Sequence, residues 1–332
     1  MKKLFTLLAF AALLATSCQD ILGVIEDIND VIDDVKDQLE VPTGAAKGVF
    51  TVSAGGAAVY FSKGNLQYQA STKTWRFADN QWDYVGGDYL VETEIDAQFE
   101  TVHTGTVNGS TNELISATND KWIDLFGWGT SGYNGMEPYM TVLDPSKYNV
   151  GTIASTEYDW GVHNPISNGG NKAGLWRTLT HEEWEYVIHK RSGSRYAPAT
   201  VNGVHGLILL PDGWDGSAYT LSNVNLEDDW RNWGFNSISS SDWTGKLEPA
   251  GAVFFPCAGQ RGNINYPDKV TEIGGTGPED ILPFAGFYWS STAASQESAY
   301  NMQFGYHNSE VVTRYADYLC QGESVRLVAD KK

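Results

Sequence analysis

An apolar run, Leu4 to Leu14, with Thr6 its one polar residue, follows Met1-Lys2-Lys3 and precedes the small residues Ala15, Thr16 and Ser17. The run is too short for a transmembrane helix, which needs about 20 apolar residues. Cationic start, short apolar core and small residues in that order describe a secretory signal. From Asp20 to Leu39 the pattern becomes a heptad. Ile21, Ile28 and Val35 form one series, and Ile25, Ile32 and Leu39 a second, offset within the same repeat. That spacing predicts an amphipathic helix with an a/d seam, its other faces filled by Glu26, Asp27, Asp30, Asp33, Asp34 and Asp37. Asp20 suits the N-cap, and Pro42 and Gly44 end the pattern. Isoleucine at both seam positions favours trimers. A short homotrimeric stalk is one reading. A helix packed on its own domain, or an acidic spacer, is the other.

From Lys47 the period shortens to that of strands. Gly48–Ser53, Ala58–Ser62, Gly64–Ala70 and Thr74–Ala78 alternate or carry β-forming residues between turn signals. Residues 84–120 are polar and weakly patterned, which predicts a long loop or an insertion. Thr180 followed by Glu183 is a capping box, and Trp184, Val187 and Ile188 then make a helical apolar stripe. Gly206–Pro211, Gly251–Pro256 and Gly286–Ser291 read as buried strands, Ala299–Phe304 as an alternating one, and Ser324–Val328 as the last. One helix among many short strands, with long loops, predicts an α+β class.

The chain has 332 residues with 22 basic and 41 acidic side chains, a net charge of −19. Loss of Lys2 and Lys3 with the signal makes this −21. Such a field repels a phosphate backbone, so nucleic acid is not an expected partner. Beyond Cys18 only Cys257 and Cys320 remain. They are free to pair in an oxidising compartment, but nothing in the sequence brings them together.

Several longer motifs carry a family resemblance. Ala15-Thr16-Ser17-Cys18 resembles the lipobox of bacterial lipoproteins, with Leu14 one place further out than usual. An ordinary signal peptide with an incidental cysteine is the alternative. The resemblance implies lipidation of Cys18, anchoring in the outer membrane and display at the cell surface. Trp176-Arg-Thr-Leu-Thr-His-Glu-Glu-Trp-Glu-Tyr186 resembles the helix start of formylglycine-generating enzymes, the sulfatase-modifying superfamily, whose fold is a variant of the C-type lectin fold. Phe61–Tyr68, Asp124–Tyr133, Tyr158–Gly161, Gly169–Thr180 and Tyr288–Thr292 are closer still to surface lipoproteins of gut Gram-negative bacteria. Some of those proteins are variable targets of diversity-generating retroelements, in which a C-terminal window is rewritten at template adenines.

Carried over, that window is 288–328, between Tyr288-Trp-Ser-Ser and Ser324-Val-Arg-Leu-Val. Tyr300, Asn301, Tyr306, His307, Asn308, Ser309, Arg314, Tyr315, Asp317, Tyr318 and Cys320 all arise from asparagine codons changed at their first two bases. Gln303, Glu310 and Gln321 do not. Tyrosine, serine and asparagine also make good binding surfaces, through large contact area and adaptable hydrogen bonds. All of these except Cys320 are the expected ligand contacts, and Trp176, Trp184, Trp289 and Arg326 are the expected scaffold. A polar hairpin that never varies is the alternative.

Catalytic chemistry is weakly encoded. Formylglycine-generating enzymes need two neighbouring cysteines, and neither Cys257 nor Cys320 sits in a matching motif. Six histidines, at 103, 163, 181, 189, 205 and 307, lack metal-ligand spacing. Glu137-Pro138-Tyr139 lacks the third residue of a sugar-binding calcium loop. The two carboxylates of a glycosidase need not be close in sequence, so spacing does not decide that case. The reading is therefore a signal peptide at 1–17, a lipid-anchored acidic helical tether at 18–45 and a loop-rich C-type-lectin-like domain at 46–332. No cofactor, metal or catalytic residue is expected. The expected ligand is a protein or a glycan. A non-variable surface-coat protein and an enzyme of the formylglycine-generating superfamily are the rival readings.

Overall fold

Short runs of β-branched and aromatic residues, broken by glycine, asparagine and serine, give this chain many brief strands. The computed structural model describes residues 41–95, 98–106, 108, 112, 116–226, 233–263, 266–271, 273–274, 282–305 and 311–332. Its architecture is α+β, mostly strands and loops with few helices. The expected signal peptide, Cys18 and the seam of the expected tether lie outside those residues. Pro42–Lys331 form a single body.

The body opens with β1 (Phe50–Thr51), β2 (Ala58–Phe61), β3 (Leu66–Gln69) and β4 (Thr74–Phe77). β5 (Asp88–Ile95), β6 (Gln98–Thr106), β7 (Trp122–Ile123) and β8 (Arg177–Thr178) follow. Next come β9 (Tyr196–Val201), β10 (Val204–Leu209), β11 (Ser237–Ile238) and β12 (Val253–Pro256). β13 (Gln260–Asn263), β14 (Tyr266–Thr271), β15 (Ile273–Gly274) and β16 (Leu282–Pro283) lead to the last four. These are β17 (Gly286–Ala293), β18 (Ser298–Phe304), β19 (Ala316–Tyr318) and β20 (Leu327–Asp330). Among the described residues, three short α-helices are α1 (Trp160–His163), α2 (His181–Glu185) and α3 (Ser240–Asp242).

The order β11-β9-β10-β12 makes the central sheet. Its strands read as continuous apolar runs because both faces are covered. Leu207, Leu209, Val253 and Phe255 enter one cluster with Phe61, Trp184 and Tyr288. Ile208, Leu210 and Phe254 enter another with Trp243 and Leu247. Gly206 sits where β10 crosses Phe255: a Cβ there would meet the Phe255 carbonyl oxygen at 2.3 Å and the Phe254 ring at 2.4 Å. Only glycine permits that approach.

α2 starts as its capping box predicts. Thr180 Oγ1 accepts from the Glu183 amide, and Glu183 Oε2 accepts from the Thr180 amide at 2.8 Å. Arg177 grips Glu183 through two 2.7 Å hydrogen bonds and reaches Asp330 at 2.7 Å. This ties the helix start to β8 and β20. The helix then widens into a π turn over Tyr186–Lys190.

The expected long loop at 84–120 is a correction. β5 and β6 pair antiparallel from Asp88 opposite Thr106 to Ile95 opposite Gln98. Tyr89, Val91, Thr93, Ile95, Thr101 and Thr104 favour extended backbone, although the polar residues between them hide the period. Two further sheets position the C-terminal window. One has the order β1-β2-β20-β8, and the other β17-β18-β19.

Candidate functional site

β17 and β18 pair from Gly286 opposite Phe304 to Ala293 opposite Ala299, and β19 lies along β18 with Ser298 opposite Tyr318. β17 is locked from below. Tyr288 Oη donates to the Pro256 carbonyl at 2.7 Å and accepts from Asn65 Nδ2 at 3.2 Å. Trp289 Nε1 donates to the Phe126 carbonyl at 2.8 Å, and its ring meets Trp128 edge-on at 5.4 Å. Trp176, Trp184, Trp289 and Arg326 are all buried. Arg326 donates to Asn65 Oδ1 and Gln81 Oε1 and lies over the Phe255 ring. Burial lowers its pKa to about 10.

Between this frame and β19 lies a polar layer that sequence reasoning missed. Asp317 Oδ2 accepts from Asn301 at 2.8 Å, Gln303 at 3.1 Å and Gln260 at 3.2 Å. Glu323 Oε1 accepts from the same Asn301 amide at 2.9 Å and from Gln260 at 3.2 Å. Gln321 Nε2 closes the layer on Gln260 Oε1. Glu323 is fully buried, and its second oxygen meets no N–H or O–H donor. Burial first, and then the neighbouring Asp317, push the Glu323 carboxyl well above the usual range. Protonation of Glu323 would supply the donor that its second oxygen lacks.

The expected contact residues separate into groups. Tyr315 and Tyr318 are each 52% exposed, the largest exposed aromatics among the described residues. Arg314 is exposed, with its guanidinium 5.6 Å from the Tyr315 ring centroid. Tyr300 is half-buried and stacks on His181 at 4.0 Å with an interplanar angle of 14°. Asp317 is half-buried in the polar layer. Asn301 is a correction: it is 1% exposed, and its amide holds the two acids instead of facing solvent. Tyr306, His307, Asn308 and Ser309 lie outside the described residues.

Beside β19 the surface dips into a pocket of about 230 Å³, walled by Leu143, Pro145, Tyr318, Cys320 and Gln321 with Glu297 among its lining residues. Glu297, Tyr318, Cys320 and Gln321 fall inside the 288–328 window. Leu143 and Pro145 come from a distant loop, and no local signal in the sequence points to them. Cys320 is a free thiol whose pKa burial raises. Cys257 is also free and fully buried, so the two cysteines form no disulfide.

A second cavity, about 310 Å³, is lined by Gln67, Arg76, Asp120, Lys121 and Trp122 among others. Its aromatic platform is already occupied, because Arg76 lies 4.0 Å over the Trp122 ring. Among the described residues, no group of three His, Cys, Asp or Glu side chains is placed to hold a metal ion. Compared with protein-family models, curated proteins and solved structures, the chain matches none.

Proposed function

We propose that this chain is a ligand-binding surface lipoprotein. In this reading it is anchored through Cys18 to the outer membrane and binds a protein or glycan through the 288–328 surface. The body is a C-type-lectin-like domain related to the formylglycine-generating superfamily, and the window is a target of a diversity-generating retroelement. The motifs at 61–68, 124–133, 169–180 and 288–292 support the fold and the family. The observation that carries the binding reading is the exposure of two tyrosines, one in β19 and one just before it. Tyr315 and Tyr318 stand 52% exposed over a hydrogen-bonded polar layer, beside a pocket. Exposed aromatics on a rigid base give contact area at low entropic cost.

Sequencing the flanking DNA tests variation. A near-copy of codons 288–328, differing at adenines and lying beside a reverse transcriptase, is the expected finding. Without it, the chain is a fixed member of the family. Binding is tested separately, on protein and glycan arrays with the whole chain and a Tyr315→Ala/Tyr318→Ala variant. A hit lost in the variant supports the reading. Blank arrays, together with visible coat assembly on cells, favour the structural alternative. Incorporation of labelled palmitate that disappears in Cys18→Ser is expected for the anchor.

A further inference from the structure

The pocket beside β19 says something about what it receives. At about 230 Å³ it is smaller than cavities that enclose a whole small ligand, which run from about 300 to 1,000 Å³. It suits one side chain of a larger partner. Its lining is the aliphatic Leu143 and Pro145 with Gly262, Tyr318, Cys320 and Gln321. The charged side chain among its lining residues is the exposed Glu297, and neither lysine nor arginine lines it.

The surroundings agree in sign. Asp144 lies between Leu143 and Pro145 in the chain, close enough to Cys320 to act on its thiol, and is partly offset by Lys147. Arg261, the cation beneath, is 3% exposed and donates through Nη2 to the carbonyls of Leu125 and Met140. Its charge also reaches the Cys320 thiol, opposing that of Asp144. The chain as a whole carries a net charge of −19, which steers basic surfaces towards it.

Resting on the binding function above, we propose that this pocket takes a lysine or arginine side chain of a protein ligand. The aliphatic stem lies against Leu143, Pro145 and the Tyr318 ring, and the cationic head stays at the mouth beside Glu297. Long basic side chains divide themselves in this way between apolar wall and water. A cation beside a tyrosine face gains further attraction. An uncharged glycan would leave Glu297 without a counter-charge.

Binding of acetylated, amidated Gly-X-Gly tripeptides to the whole chain, measured by saturation-transfer NMR, tests this. The probes have X as arginine, lysine, norleucine or glutamate. Saturable binding is expected for arginine and lysine, weaker binding for norleucine and none for glutamate. Glu297→Gln weakens the basic probes about two- to fivefold, the range of an exposed ion pair. Tyr318→Ala weakens all of them. Equal binding of arginine and norleucine, or no effect of Glu297→Gln, overturns the proposal. An array ligand that is lost in Tyr315→Ala/Tyr318→Ala but indifferent to Glu297→Lys also overturns it, while leaving the binding reading intact. Basic tripeptides that bind while no macromolecule engages the window overturn the binding reading, and with it the protein ligand proposed for this pocket.

Discussion

Two buried layers of this molecule are built on opposite principles. Under β2, β12 and α2, Phe61 meets Phe255 edge-on at 5.5 Å, and Trp184 lies 5.8 Å from both rings. Contact there is non-directional, and stability follows the area removed from water. Under β19, by contrast, Asn301, Gln303 and Gln260 converge on two acids through bonds of 2.8 to 3.2 Å. Hydrogen bonds of this kind add little net stability, but a missing partner is expensive. The aromatic layer fixes how strongly the body holds together. The polar layer fixes where β19 sits, and so where Tyr315 and Tyr318 stand.

The largest expected effect comes from breaking the aromatic layer. Trp184→Ala should lower unfolding free energy by about 3–5 kcal/mol, the range for a buried large aromatic, as read from urea denaturation. A loss below about 1 kcal/mol would show that the cluster collapses to fill the void. Next is Asn301→Ala, which leaves Asp317 and Glu323 short of donors. A loss of about 1–3 kcal/mol is expected for stranded buried acceptors, with Glu323→Gln much milder because its amide still donates to Asp317. Equal losses in the two variants would contradict a proton-bearing Glu323.

A pH profile sharpens the contrast further. A buried acid with a raised pKa binds its proton better when folded, so stability falls as pH climbs from the unfolded pKa towards the folded one. Burial raises Asp124 and Asp159 to about 6, so their contribution is complete near there. His205, whose pKa burial lowers, acts in the opposite direction below its usual 6.5. Burial, and then Asp317, hold the Glu323 carboxyl well above the usual range, so Glu323 adds to the fall in urea midpoint with rising pH, and Glu323→Gln should make that fall shallower. A slope unchanged in that variant would move the assignment elsewhere. The smallest effect on stability is expected from Tyr318→Ala. An exposed side chain should shift unfolding free energy by less than about 0.5 kcal/mol, so any loss of binding is separable from loss of fold.

The aromatic layer was legible in the sequence and the polar layer was not. Trp184, Val187 and Ile188 repeat at helical spacing behind a capping box, and Gly206–Pro211 is too apolar to face water. β18 shows why legibility ends there. Its alternation sends Met302 and Phe304 into the core and puts Asn301 and Gln303 on the other face. Periodicity separates two faces, but it does not reveal that the polar face is covered by β19 and residues 321–323. Asn301 therefore read as a surface contact. The pocket was illegible for a related reason: Leu143 and Pro145 meet Tyr318 and Cys320 only through the fold. The β5–β6 hairpin was missed because backbone pairing needs no clear apolar period when β-forming residues are interleaved with polar ones.

The place of β20 limits how this surface is able to change. β20 is hydrogen-bonded between β2 and β8, and Arg177 of β8 reaches its Asp330. Half of that strand, Ala329 and Asp330, is encoded downstream of the 288–328 window. An insertion or deletion that shifts the reading frame anywhere in codons 288–328 would scramble or remove β20, opening the sheet that joins the beginning of the body to its end. Single-base replacement keeps the reading frame, and with it the strand downstream. If the window varies as proposed above, the changes that spare this sheet are those that keep the reading frame.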